Sequence, residues 1–247
     1  MTVYDRLGTG YAGLRRPDPR IRQQLLRALG SAGPVVNVGA GTGSYEPDDV
    51  PVVAVEPSRV MLSQRPPHAA PAVCAVGEAL PFRDATFGAG MAIFTVHHWT
   101  DLRRGLHELR RVVRGPVVVL TWDQAVFATF WMVAEYVPAS MRLDRFMPSP
   151  GEIASLLGGG TVSVVSVPHD CTDGFYAAYW RRPEAYLDPE VRAAISGLAR
   201  LDPDEVQPGI VRLGQDLASG DWRTRHAALL GRESYDAGYR LVVSPGA

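Results

Sequence analysis

Lysine is missing altogether: the 25 basic residues of this 247-residue chain are all arginine. Without a lysine amine the chain lacks the side chain that forms a Schiff base with a carbonyl substrate, and a Walker-type phosphate loop lacks the lysine it needs. Arginine stays protonated, so proton abstraction would fall to His, Asp, Glu or Tyr. Cysteine is nearly missing. Cys74 and Cys171 fall in no CxxC or metal-ligand spacing, which argues against a disulfide framework and against a metal site. A strong charge of either sign is missing too. The formal net charge is −1, so no overall positive field recruits nucleic acid or an acidic membrane. No apolar run approaches membrane-spanning length, and the opening MTVYDRLGTG has no signal-peptide apolar core. A soluble cytoplasmic protein is the expectation.

What is present reads as an alternating α/β pattern. Five apolar runs read as strands: VVNV (35–38), PVVAVE (51–56), AVCAV (72–76), GMAIFTV (90–96) and PVVVLTW (116–122). They are apolar on both faces, as parallel strands covered by helices are. DPRIRQQLLRALG (18–30) reads as a helix stopped by Gly30. TDLRRGLHELRRVVR carries one apolar stripe of Leu102, Leu106, Leu109 and Val113, with Thr100 or Asp101 as its cap. After Trp122 the chain turns aromatic and methionine-rich. Ser149, Pro150 and Glu152 then form a helix-start signature. TVSVVSVPH alternates like a strand, short helices fill 187–231, and AGYRLVV (237–243) reads as a closing strand. With 46% hydrophobic residues and no repeat or linker, one domain spanning 1–247 is expected, with lid insertions at about 123–150 and 186–232.

Gly39, Gly41 and Gly43 follow the first strand in the pattern G-x-G-x-G. Glycine there permits positive φ and close approach of a ligand to the backbone. A dinucleotide fingerprint would need glycine at 44, where Ser44 stands. The second strand ends in Glu56, whose carboxylate can accept hydrogen bonds from both hydroxyls of a ribose. An ordinary strand-ending turn and a solvated strand terminus would explain either feature alone; together they favour a nucleoside.

VVNVGAGTGSY, VVAVEPSRVMLSQ, GEALPFRDATFGAGMAIFTVHHWTD and GLHELRRVVRGPVVVLTWD stand in the order and spacing of a known family. The chain resembles the class I S-adenosylmethionine-dependent methyltransferases, particularly their broad type 11 group, over roughly residues 1–122. The resemblance implies a Rossmann-like seven-stranded sheet in the order 3-2-1-4-5-7-6 with strand 7 antiparallel, and S-adenosylmethionine as cofactor. It implies that Gly39, Gly41 and Gly43 pass beneath the methionine part, Glu56 holds the ribose, Ser58 and Met61 lie near the adenine, Gly77 and Glu78 border its edge, and Thr95 offers backbone to the amino group. It also implies that the N-terminal YDRLGTGYAGLRR folds over the cofactor, with Tyr11 and Arg15 toward its carboxylate. Three positions depart from the family. Asn37 replaces an acidic residue, Val76 replaces an adenine-reading Asp, and only SYEPDDVP separates Gly43 from the second strand. Pro47 and Pro51 leave no room there for the usual helix, so the crossover should be loop, with Tyr45 and Glu46 partly covering the ligand.

On the reacting side, His97 and His98 lie just past the fourth strand, where active residues of open α/β sheets sit. Imidazole suits a general base, although adjacent side chains rarely face one pocket. Tyr4, Trp99, Phe127 and Trp131 are candidate substrate-pocket walls, with Phe130 and Tyr136 beside them. His169 and Asp170 are lesser base candidates. Three functions fit: methyl transfer from S-adenosylmethionine to an O, N or C atom of a small molecule, a nucleic-acid methyltransferase, or a noncatalytic binder of S-adenosylmethionine; a nicotinamide dehydrogenase, the rival at the level of fold, is disfavoured by Ser44. The near-neutral charge and the lack of an N/D-P-P-Y motif favour the first, with a small molecule and no nucleic acid or membrane as partner.

Overall fold

The first five strands form where β-branched runs can be covered on both faces. In the computed structural model, which describes residues 15–31 and 33–246, they are β1 (Val35–Val38), β2 (Val52–Val55), β3 (Ala72–Val73), β4 (Ala89–Ile93) and β5 (Val117–Trp122). All pair in parallel, with Val36 opposite both Val53 and Gly90. The chain later returns as β6 (Thr161–Val164), and β9 (Tyr239–Ser244) inserts antiparallel between β5 and β6. The sheet order is β3-β2-β1-β4-β5-β9-β6, while β7 (Val167–Pro168) and β8 (Ser234–Tyr235) form a separate ribbon. With that ribbon set aside, this is the seven-stranded order 3-2-1-4-5-7-6 with its seventh strand antiparallel.

Period-two alternation divides the strands between two cores. Val35, Met91, Val118 and Leu120 face the buried stripe Ile21, Leu25 and Leu29 of α1 (Pro19–Leu29). Val36, Val38, Ala92 and Val119 face Leu106, Leu109 and Val112 on α3 (Leu102–Val112). Asp18 caps α1 and Asp101 caps α3 through their side chains. Between them lies α2 (Arg59–Ser63), capped by Ser58. The signature at 149–152 forms a complete capping box at the start of α4 (Pro150–Leu156).

Several elements stop earlier than the sequence suggests. β3 has only two residues, because Cys74 onward leaves the edge of the sheet. β4 ends at Ile93: Phe94 takes φ +52° and Val96–His98 winds into a 3-10 turn, so Thr95 lies beyond the strand. The run TVSVVSVPH splits into β6 and β7. The aromatic stretch is broken into a helical turn at Gln124–Phe127, a π-helical turn at Met132–Tyr136 and a 3-10 turn at Pro138–Arg142. Its rings, not an amphipathic face, hold it in place. No helix among the described residues is long and apolar enough to cross a membrane.

The connection from β1 to β2 contains turns and bends but no helix. A buried ion pair fixes it instead. Arg65, which follows α2, donates to both carboxylate oxygens of Glu46 at 3.0 and 2.9 Å, to the Gly41 carbonyl at 3.3 Å and to the Ala70 carbonyl at 3.0 Å. Asn37 Nδ2 adds a hydrogen bond to Glu46 at 3.1 Å.

Candidate active site

Two adjoining cavities lie at the carboxyl ends of β1, β2, β4 and β5. The larger, about 370 Å³, is walled by the bare backbone at Gly39–Gly41, by Glu56, by Met61, Val76, Gly77 and Trp99, and by Thr95 and His98. The smaller, about 70 Å³, is walled mainly by aromatic rings. Arg15 and Phe94 belong to the walls of both. Phe94, a non-glycine residue at positive φ, therefore carries backbone strain at the junction.

The glycines have separate duties. A Cβ at Gly39 would sit 1.8 Å from Thr95 Oγ1, so glycine here lets β1 end against the turn after β4. Gly41 presents its N–H to Glu56 at 2.9 Å and keeps the wall thin, a Cβ there falling 3.2 Å from Met61 Cε. Gly43 does not line the cavity; it turns the chain toward Arg65 and Glu46. Nor does Ser58, which is fully buried as the cap of α2 and accepts from Met61 N. The other Glu56 oxygen accepts from Ser58 N at 2.8 Å. The carboxylate is thus held rigidly at the wall. Each carboxylate oxygen accepts up to two hydrogen bonds, so an amide and a ribose hydroxyl can share one.

Asn37 lines the larger cavity, and its side chain points at Glu46. The negative charge absent from position 37 is supplied nearby by Glu46, already neutralised by Arg65. Glu46 is therefore an anchor under the loop and no cover for a ligand; Tyr45 is 1% exposed and forms wall, not flap. Glu78 lines the cavity while its carboxylate accepts from Thr100 N and Asp101 N at 2.6 and 3.2 Å. Trp99 walls this larger cavity rather than the aromatic one. It is wedged between two glycines: a Cβ would lie 3.0 Å from it at Gly77 and 2.3 Å at Gly105.

His97 and His98 face different cavities, His97 the smaller and His98 the larger, with ring centroids 3.7 Å apart. Burial lowers both pKa values: His98 falls to about 3, with the Arg200 charge adding to the effect, and His97 falls well below the usual range, with His98 and Arg200 contributing. Both imidazoles are neutral at pH 7. His97 Nδ1 is buried with no hydrogen-bond partner among the described residues. Its ring meets Trp122 edge-on at 4.6 Å.

Phe127 lines the smaller cavity; Trp131 does not. Trp131 donates from Nε1 to the Trp180 carbonyl and packs against Tyr136, Tyr186 and Trp222, which makes it core. Phe130 is likewise buried core, and Tyr136 donates to Asp216 away from either cavity. His169 and Asp170 sit at the surface ribbon, where Asp170 pairs with Arg20. Tyr4 and Tyr11 lie outside the described residues. Sequence reasoning missed Phe94, Trp122, Asp144, Phe175, Tyr176 and Tyr239, which line the smaller cavity, and Asp173, which receives Arg15 Nε and the Tyr45 hydroxyl at 2.7 Å each. No local pattern marks them, since Asp173 is 128 residues from Tyr45.

Comparison with known proteins agrees with this architecture. Residues 36–119 match the family model described as "Methyltransferase domain". A crystal structure from Anabaena variabilis, assigned as a methyltransferase of an antibiotic biosynthesis pathway, superposes with a TM-score of 0.87 at 32% identity, covering 94% of this chain and 98% of that one. Two curated relatives match more locally. The rice chloroplast 2-methyl-6-phytyl-1,4-hydroquinone methyltransferase 2 is 28% identical over 117 residues, 40% of this chain and 34% of its own. The Schizosaccharomyces pombe tRNA (carboxymethyluridine(34)-5-O)-methyltransferase is 26% identical over 128 residues, 49% of this chain and 55% of its own. The matches thus span about a third and about half of those relatives' lengths. The chain belongs to the class I S-adenosylmethionine-dependent methyltransferases, and S-adenosylmethionine is its cofactor.

Proposed function

We propose that the larger cavity holds S-adenosylmethionine and the smaller one a small-molecule methyl acceptor. What carries this reading is the pairing of the two cavities: a nucleoside-sized space with both polar and apolar walls meets an aromatic one at Phe94 and Arg15, at the carboxyl edge of the sheet. The residues present fit the cofactor. The backbone at Gly39–Gly41 leaves a cradle that a side chain would fill, Glu56 is fixed to receive ribose hydroxyls, and Met61, Val76 and Trp99 give an apolar end for a base. Asn37, Gly77, Glu78 and Thr95 complete the wall, and Arg15 faces it while held by Asp173.

Bound there, the cofactor supplies an electrophilic methyl group, and transfer to an O, N or C atom leaves S-adenosylhomocysteine and a proton. The chain's own contribution is to orient the acceptor and exclude water. His97, neutral and with Nδ1 unpartnered among the described residues, is the group positioned to hydrogen-bond an acceptor at the smaller cavity; His98 is positioned toward the cofactor side. The segments at about 123–150 and 186–232 act as the lid of one domain, since Gln124, Phe127, Met141, Asp144, Ile195 and Gly197 from them close the acceptor space. We place the protein in the cytoplasm, consistent with two unpaired cysteines, one exposed and one buried.

The tRNA-modifying relative supports a second reading, a nucleic-acid acceptor. The net charge of −1 and the small acceptor space, about 70 Å³, favour the small molecule. Calorimetry tests the cofactor reading. S-adenosylhomocysteine should bind the wild-type chain, and Glu56→Ala should weaken it roughly 10- to 100-fold, as loss of charge-assisted hydrogen bonds does. Equal affinities would remove Glu56 from the site. Binding with no transfer across a broad acceptor panel would favour the noncatalytic alternative.

A further inference from the structure

We propose that the smaller cavity takes a neutral aromatic ring carrying a hydroxyl group, with the hydroxyl against His97. The inference deepens the methyl-acceptor reading above and rests on it. Phe94, Trp122, Phe127, Phe175, Tyr176 and Tyr239 present rings to this space. They already pack edge to face among themselves, Phe94 on Tyr239 at 5.4 Å, Phe127 on Tyr176 at 5.3 Å and Phe175 on Tyr239 at 4.8 Å. Such a wall offers edges and faces to one more ring. Size agrees. A water needs roughly 10–15 Å³ of such space, so about 70 Å³ accommodates a handful of non-hydrogen atoms, on the scale of a single ring.

Charge and hydrogen bonding define the rest. The charged groups on this wall are paired within the protein: Asp144 with Arg200 at 3.2 Å, and Arg15 with Asp173 at 2.7 Å. A cationic or anionic ligand would lose part of its hydration against the aromatic wall without gaining a counter-charge, which is costly. Most of the polar groups around it are also engaged. Tyr176 and Ser140 share a hydrogen bond at 2.7 Å, the Tyr239 hydroxyl accepts from Ala177 N, and the Gln124 amide donates to the Asp144 carbonyl. Among the described residues, His97 Nδ1 is the buried side-chain polar atom at this wall that has no hydrogen-bond partner. A buried nitrogen of that kind calls for a ligand group that donates or accepts one hydrogen bond. Burial and the Arg200 charge keep the imidazole uncharged, which suits a hydroxyl better than a carboxylate.

The test is a binding panel on the full chain, with and without S-adenosylhomocysteine: phenol, toluene, benzoate and benzylamine, which share one ring and differ in polarity and charge. Phenol is expected to bind roughly tenfold tighter than each of the others. His97→Phe should bind toluene like the wild type and lose the preference for phenol, toluene binding serving as its control for folding. In wild-type protein labelled with 15N-histidine, phenol should shift the His97 ring resonances and toluene should leave them in place. Benzoate, benzylamine or toluene binding as tightly as phenol overturns the proposal. So does a phenol preference that survives in His97→Phe, an unmoved His97 resonance, or no ring ligand binding at all. Binding of S-adenosylhomocysteine alongside a failed panel would strike the acceptor class and leave the cofactor placement standing; the expected ring preference without S-adenosylhomocysteine binding would strike the cofactor placement and leave only a ring-binding site.

Discussion

His97 and His98 are adjacent in the chain and serve opposite sides of the cavity junction, because the 3-10 turn at Val96–His98 splays consecutive side chains. Their common property is resistance to protonation. In the unfolded chain a histidine takes a proton near pH 6.5; in the fold His98 holds out to about 3. Across that window the unfolded state binds more protons, so stability falls as pH drops below 6.5 and is complete above it. His98→Asn should therefore flatten the acid loss, by about 1–2 kcal/mol between pH 6.5 and 5, read as the urea midpoint at the two pH values. An unchanged pH slope would show that His98 is not held neutral. At this scale the sequence disclosed chemistry but not direction. Glu56 was legible because a strand end fixes where its carboxylate points. The side on which Trp99 or Ser58 falls was not, because a ring at a wall and a hydroxyl at a helix cap look alike in one dimension.

Among the elements, the helix-free crossover between β1 and β2 departs furthest from the family pattern. Pro47 and Pro51 made that loop legible, since neither leaves room for helix. Its fastening was hidden. Arg65 and Glu46 are 19 residues apart, with no periodicity to pair them, yet their side chains are 6% and 9% exposed and hold the loop against the exit of α2. Removing one member of a buried pair leaves an uncompensated charge, so Arg65→Ala should cost about 3–5 kcal/mol in chemical denaturation. It should also weaken S-adenosylhomocysteine, because Arg65 braces the Gly41 carbonyl. A loss below 1 kcal/mol would mean that the pair behaves as a surface contact. The strand limits were overrun for a related reason. AVCAV and GMAIFTV stay apolar past the last ladder bond, because their continuations wall a cavity instead of a sheet.

Across the whole molecule, one buried network joins the N-terminal segment, the crossover loop and the segment after β7. Asp173 receives Arg15 Nε and the Tyr45 hydroxyl at 2.7 Å each, and burial with the neighbouring carboxylate raises the Tyr45 pKa. Asp18, the cap of α1, accepts in addition from Thr172 N. Tyr45→Phe removes one hydrogen bond to a buried carboxylate and should destabilise the fold by about 1.5–3 kcal/mol, measured by urea unfolding; no change would separate the loop from the segment after β7 energetically. The parallel strands were legible from their apolar runs, and the sheet order from the family resemblance. The placement of the aromatic residues was not. Phe127 reaches the smaller, aromatic cavity while Trp131, four residues on, is core, and a broken helix gives no periodicity from which to tell them apart. The account as a whole is tested most directly by a crystal structure of the full chain grown with S-adenosylhomocysteine. The ribose hydroxyls should lie on Glu56, the backbone of Gly39–Gly41 should run beneath the ligand, and its sulfur should face Phe94 and the aromatic cavity. A ligand bound elsewhere, or turned so that its sulfur faces away from Phe94, would contradict it.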